Sequence, residues 1–236
     1  MTPESLKLKP EKRNFVKKLL ITIDGPAGAG KTTVSRALAK RLGYRYVDTG
    51  ALYRGVAYEA RRRNINIQND NELRDLCREL ELSFVASEKG LRLYCGKTDI
   101  TDHIRTPEIS MLASAVSAKS VVRQYLLKVQ RDIGRQKAAV FEGRDMGTVV
   151  FPDADVKFFL DASPEIRALR RFQESDAESG QTLEEVQNEM RQRDTNDSAR
   201  KLAPLRLADD AILIDSSELS ADKVVDLMLS HVEQNR

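Results

Sequence analysis

A chain of 236 residues, 41% hydrophobic and 32% charged, has the make-up of a globular protein and can bury a sizeable core, as one domain with insertions or as two small ones. Its net charge of +3 is too small to mark a nucleic-acid binder. No apolar run reaches the roughly eighteen residues of a membrane span, and the N-terminus has no apolar signal core, so a cytoplasmic location is expected. Cys77 and Cys95 lack metal-ligand spacing and read as free, buried thiols. His103 and His231 are the only histidines, which leaves no Ser–His or Cys–His pair to expect and no histidine metal cluster.

Residues 1–18 carry Lys7, Lys9, Lys12, Arg13, Lys17 and Lys18 and are expected to form a disordered basic tail. Residues 19–23 are an apolar run of β-type residues, ending at Asp24. The loop Gly25-Pro26-Ala27-Gly28-Ala29-Gly30-Lys31-Thr32 follows, with the spacing G-x-x-x-x-G-K-[ST], and Thr33 begins an expected helix over 33–42. Glycines let successive N–H groups converge on a phosphate at the positive end of that helix. Lys31 is expected to reach the β- and γ-phosphates of a triphosphate such as ATP, and Thr32 to hold Mg²⁺ through its hydroxyl. A glycine-rich turn that binds nothing would demand neither residue.

Residues 44–47 read as a second strand and 51–63 as a helix, with Thr49 at the expected N-cap or facing a ligand phosphate, and Arg54 one turn further on. Leu73, Leu76, Cys77 and Leu80 mark a short amphipathic helix. Short strands over 82–86, 91–94 and near Ile100 then suggest a small antiparallel meander inserted in an α/β chain. Thr106-Pro107-Glu108 signals a helix start, and Ser120 is the expected cap of the next helix, which ends near Gly134.

The strand expected over 138–141 discharges into Glu142-Gly143-Arg144-Asp145-Met146-Gly147, where open α/β sheets bind ligands. A strand over 156–160 is followed by Ser163-Pro164-Glu165 opening a helix with Arg167, Arg170 and Arg171. Residues 174–181 are expected to be a mobile turn, and Thr182-Leu183-Glu184-Glu185 is a capping box. The charged stretch from Arg193 to Arg200 ends this helix pair, and mobile arginines are what a closing lid supplies. A last strand over 211–214 and a helix capped by Ser220 complete the chain.

Phosphoryl transfer needs in-line placement and positive charge more than covalent chemistry. Lys31, Arg54, Arg123, Arg144, Arg193 and Arg200 fall near expected loops and helix ends, which points to a second anionic ligand facing the triphosphate. No Asn-Lys-x-Asp sequence of a guanine-nucleotide protein occurs, and the chain leaves little room for the partner surfaces of a motor. A small-molecule kinase fits best, and a phosphate acceptor, already anionic, needs no histidine base.

From about Leu19 onward the chain resembles the bacterial cytidylate kinases of the long form. The resemblance rests on the phosphate loop, on Asp48-Thr49-Gly50-Ala51-Leu52-Tyr53-Arg54, on Ile104-Arg105-Thr106, on Arg193-Asp194 with Asp197-Ser198-Ala199-Arg200, and most specifically on Gly143-Arg144-Asp145-Met146-Gly147-Thr148-Val149-Val150-Phe151-Pro152-Asp153. It implies a nucleoside-monophosphate kinase fold: a parallel sheet flanked by helices, a monophosphate-binding insert at about 64–118 and a helical lid at about 167–200. It implies transfer from ATP to CMP or dCMP with Mg²⁺, by a monomer that takes small molecules and neither nucleic acid nor membrane. On the matching positions, Thr49, Arg54, Arg144 and Arg200 would hold the acceptor phosphate, with Lys31, Arg144 and Arg200 catalytic. Ser114, Arg123 and Asp145 would face cytosine, and Arg193 and Asp197 the sugar. Two alternatives stay open: a kinase for another small acceptor such as UMP, and a nucleotide-gated binding protein without turnover.

Overall fold

The computed structural model describes residues 17–87, 90–174 and 180–235. The expected disordered tail lies outside the described residues except for Lys17 and Lys18, and so does most of the expected mobile turn. Strand β1 (Leu20–Asp24) is buried at all five positions, because it lies at the centre of a five-stranded sheet. Its neighbours are β6 (Ala139–Gly143) and β7 (Val156–Asp161), with β2 (Arg45–Asp48) and β8 (Ile212–Asp215) at the edges, in the order β2-β6-β1-β7-β8. Every pairing in it is parallel. A parallel sheet is covered on both faces, which explains the unbroken apolar runs of its central strands.

One face packs against α1 (Lys31–Leu42) and α8 (Ala221–Gln234), whose Val34, Leu38, Val225 and Met228 meet Ile21, Ile23 and Phe158. The other face buries Phe141 edge-on against Phe151, at a ring separation of 4.6 Å. Beyond it, α2 (Thr49–Arg62), α3 (Asp70–Glu79), α4 (Pro107–Ser117) and α5 (Ser120–Gly134) share a second core with the small antiparallel sheet. That sheet has the order β3-β4-β5, with β3 (Leu82–Ser87), β4 (Gly90–Cys95) and β5 (Thr98–Asp99), and is the expected meander. Helices α6 (Pro164–Glu174) and α7 (Leu183–Ser198) pack on each other through Ala168, Val186 and Met190.

Local signals predicted several helix ends well. Thr106 accepts from Ile109 N with Pro107 inside the start, Thr182 and Glu185 form the reciprocal capping box, and Ser220 accepts from Lys223 N. Three ends differ. Helix α1 starts at Lys31, which puts Lys31 and Thr32 in its first turn. Asp48, not Thr49, caps α2, accepting from Ala51 N at 3.0 Å. A carboxylate there also favours the positive helix end, and Thr49 becomes the first helical residue. Ser120 does not cap α5: the N-cap is Lys119, without a side-chain hydrogen bond. The stretch after β6 winds into a π-helical turn over Met146–Val150.

Candidate active site

The phosphate loop leaves β1 in a bend that only glycine allows. Gly25 has φ 147°, and a Cβ there would stand 2.0 Å from Leu160 O; at Gly28, φ 73°, it would stand 2.6 Å from Arg167 O. The loop opens onto a cleft of about 540 Å³ that runs from Gly28, Lys31 and Thr32 to α2, α4, the end of β6 and α7. Thr33 and Ala27 also line it, whereas Gly25, Pro26 and Ala29 do not. Pro26 O accepts from Lys31 Nζ at 2.5 Å, and Ala29 O accepts from Ser216 Oγ at 3.1 Å. Lys31 is only 8% exposed. Burial, and then the nearby Arg144 guanidinium, hold its pKa well below the ordinary lysine value, with Glu142 opposing.

The parallel sheet also brings Glu142 here, although the sequence assigned it no role. It sits at the end of β6, 6% exposed, and Oε1 accepts from Thr32 Oγ1 at 2.9 Å and from Tyr46 at 2.7 Å. Oε2 is buried without a partner. Burial and the neighbouring Asp48 raise the Glu142 pKa, while Lys31 pulls it down. The sequence signal was a lone acid closing an apolar strand. Asp24, at the end of β1, carries the same signal.

Across the cleft the structure gathers all the remaining predicted residues: Thr49, Arg54, Ser114, Arg123, Arg144, Asp145, Arg193, Asp197 and Arg200. Asp197, on α7, is 5% exposed and accepts from Arg144 Nε at 2.9 Å and from Arg200 at 2.8 Å. Arg54 pairs with Asp48 at 2.7 Å. The Thr49 hydroxyl donates to Glu142 O at 2.7 Å, so a phosphate would reach its proton only by displacing that bond. Arg123 pairs with Asp145, donates to Ser117 O at 3.2 Å and stands 5.8 Å from the centre of the Tyr53 ring. Asp145 is 3% exposed; burial raises its pKa against the pull of Arg123 and Arg200. Arg193 has no ion-pair partner among the described residues, and burial with the facing Arg144 lowers its pKa to about 10.

A phosphate loop that faces several arginines across one cleft defines a P-loop kinase with a small anionic acceptor. The cytidylate kinase family profile matches residues 21–234. The chain is 50% identical over 217 residues to a cytidylate kinase of Geobacter sulfurreducens, covering 92% of this chain and 93% of that protein. It is 45% identical over 221 residues to a cytidylate kinase of Ligilactobacillus salivarius, covering 93% and 99%. A crystal structure of an uncharacterized protein from Eubacterium ventriosum shares the fold at TM-score 0.51 and 13% identity, covering 92% of this chain and 99% of that one. The chain belongs to the cytidylate kinase family, and is thus an ATP-dependent nucleoside-monophosphate phosphotransferase.

Proposed function

We propose that the cleft performs the family's reaction, transfer of the γ-phosphoryl group of ATP to CMP or dCMP, with the triphosphate on the loop from Gly25 to Thr33 and the acceptor under α4 and α7. The observation that carries this reading is the meeting of Arg144, directly after β6, and Arg200, just past the end of α7, on the single carboxylate of Asp197 opposite Lys31. Two guanidiniums already drawn to one anion form a site for a second anion of similar size, the acceptor phosphate. Arg54 and the α2 N-terminus add to it. Arg193 and Asp197 face the sugar, and Ser114, Arg123 and Asp145 the base. A coupled ADP-release assay should show CMP and dCMP used far faster than UMP, AMP or GMP. Comparable rates for CMP and UMP, or no transfer to any monophosphate, would overturn the reading.

Mg²⁺ fits the donor set. Thr32 Oγ1 and Glu142, with its orphaned Oε2, offer hard oxygen ligands. Among the described residues no three acidic, His or Cys side chains are grouped to hold a metal. When bound it supplies charge neutralisation at the β- and γ-phosphates. Lys31 gives up Pro26 O for phosphate oxygens, and Arg144 and Arg200 surround the transferring group.

Arg54 and Arg200 are assigned to the acceptor phosphate, so Arg54→Ala and Arg200→Ala should each lower kcat/KM for CMP at least about tenfold, from roughly 1.5–3 kcal/mol per charged hydrogen bond. Lysine should not rescue either fully, since the planar fork is lost. Wild-type kinetics in both alanine variants would refute the assignment.

Residues at about 167–200 act as a lid and those at about 64–118 as the monophosphate-binding insert. Support for the lid comes from the mutual packing of α6 and α7 and from the Arg167–Asp194 pair at 2.5 Å that links them. Amide hydrogen exchange in α7 should slow when both nucleotides bind, and equal exchange with and without them would count against closure. The enzyme acts as a cytoplasmic monomer on small nucleotides, with neither nucleic acid nor membrane as partner. No helix of the described residues is long and apolar enough to cross a membrane.

A further inference from the structure

Asp24 lies outside the cleft lining, yet it stands where the two halves of the site join. It is the last residue of β1, directly before the phosphate loop, and it is 4% exposed. Its two carboxylate oxygens are shared out: Oδ1 accepts from Met146 N at 2.9 Å and Oδ2 from Gly147 N at 2.7 Å. Those amides open the π-helical turn immediately after Arg144 and Asp145, and a helix start leaves such donors unpaired unless a side chain meets them.

The joint is tight on both sides. A Cβ at Gly147 would stand 3.2 Å from Thr22 Oγ1 on β1 and 3.2 Å from Lys157 Cδ on β7. Next to Asp24, Gly25 presses on Leu160 O. The end of β1 therefore cannot shift without moving the turn that directly follows the acceptor-binding pair. The site also requires two acceptors. An asparagine offers one oxygen and would turn its NH₂ toward the second amide. A carboxylate stands here although burial raises its pKa to about 6 against the pull of both amides and Lys31.

We propose that Asp24 is a positioning residue that couples occupancy of the phosphate loop to the placement of Arg144 and Asp145, and so to the affinity for CMP. Filling the loop with a triphosphate draws Lys31 off Pro26 O and settles the bend at Gly25. Asp24 passes that displacement through its two hydrogen bonds to the π-helical turn. The coupling is reciprocal, so CMP should tighten the triphosphate by the same factor.

The test is calorimetric titration of CMP with and without a non-hydrolysable ATP analogue and Mg²⁺. The wild-type protein should bind CMP at least about fivefold more tightly with the analogue present, the lower end of ordinary coupling energies. In Asp24→Asn that ratio should fall toward unity, while affinity for the analogue alone stays near wild type. An unchanged ratio in the variant, or no ratio in the wild type, overturns the proposal. A wild-type measurement covers a variant that fails to fold: the Met146 and Gly147 amide resonances should shift when the analogue alone is added, and resonances that stay in place overturn it too. The inference rests on the assignment of Arg144 and Asp145 to CMP. Failure of that assignment would show separately, as Arg144→Ala with undiminished affinity for CMP.

Discussion

Replacing Lys31 by alanine is expected to lower kcat by at least about 10²–10³-fold, the range for removal of one preorganised donor from a transition state. The ammonium is buried beside Arg144 and Arg193, and in the free protein it has only a loop carbonyl and more distant carboxylates to offset them. Its charge is therefore held ready for an anion, and the triphosphate is the anion that the loop is shaped to admit. The loss should fall on kcat and kcat/KM alike, the mark of an interaction made in the transition state. Removing a charge that burial and two guanidiniums disfavour should leave Tm no lower than in the wild type. Near-normal turnover by a folded Lys31→Ala protein would refute the role given to this lysine.

The second large effect is expected at Asp145. Cytosine presents an amino donor at C4 and acceptors at N3 and O2, whereas uracil presents an acceptor at C4 and a donor at N3. A carboxylate pairs with the cytosine amino group, as acids do on cytosine edges in nucleic acids, and a guanidinium has only donors to give. Asp145 and Arg123, the pair proposed to face the base, are joined as an ion pair in the cleft, with Tyr53 beneath Arg123, so carboxylate and guanidinium are presented side by side. Uracil would set O4 against the carboxylate and N3–H against the guanidinium. A site built on such pairing discriminates by up to about 10⁴–10⁵, and less where water enters. Asp145→Asn should lower kcat/KM for CMP by about 10–100-fold, from the 1.5–3 kcal/mol of a charged hydrogen bond. It should also narrow the gap to UMP, because an amide can turn either its oxygen or its nitrogen to the base. Wild-type discrimination persisting in Asp145→Asn would move base selection elsewhere in the cleft.

Much of the site was legible because its chemistry is local. The phosphate loop needs a strand, glycines and a helix start within about a dozen residues, and residues 19–42 contain all three. Helix caps are equally local: a side chain reaches an amide two or three positions on. Thr106, Thr182 and Ser220 were therefore readable before any fold was known. The same locality explains the failures at Thr49 and Ser120. A good capping residue stands there, but at the first helical position rather than the cap, because the preceding strand or turn runs one residue short of it.

The order of residues along the chain already specifies the class of chemistry and the main elements: a parallel α/β core, an antiparallel insertion, a triphosphate loop and a surplus of arginines for a second anion. The tertiary structure alone decided which charges meet. Glu142 reaches Thr32 across 110 positions of sequence, Asp24 reaches Met146 across 122, and Arg144 reaches Asp197 across 53. No local pattern encodes such pairs. The first two exist because β6 lies beside β1, which sets Asp24 opposite Gly143 and brings both strand ends to one edge; the third needs α7 to lie over that edge. At that edge burial removes water from the carboxylates and guanidiniums, so each must find a partner within the protein or wait for a ligand.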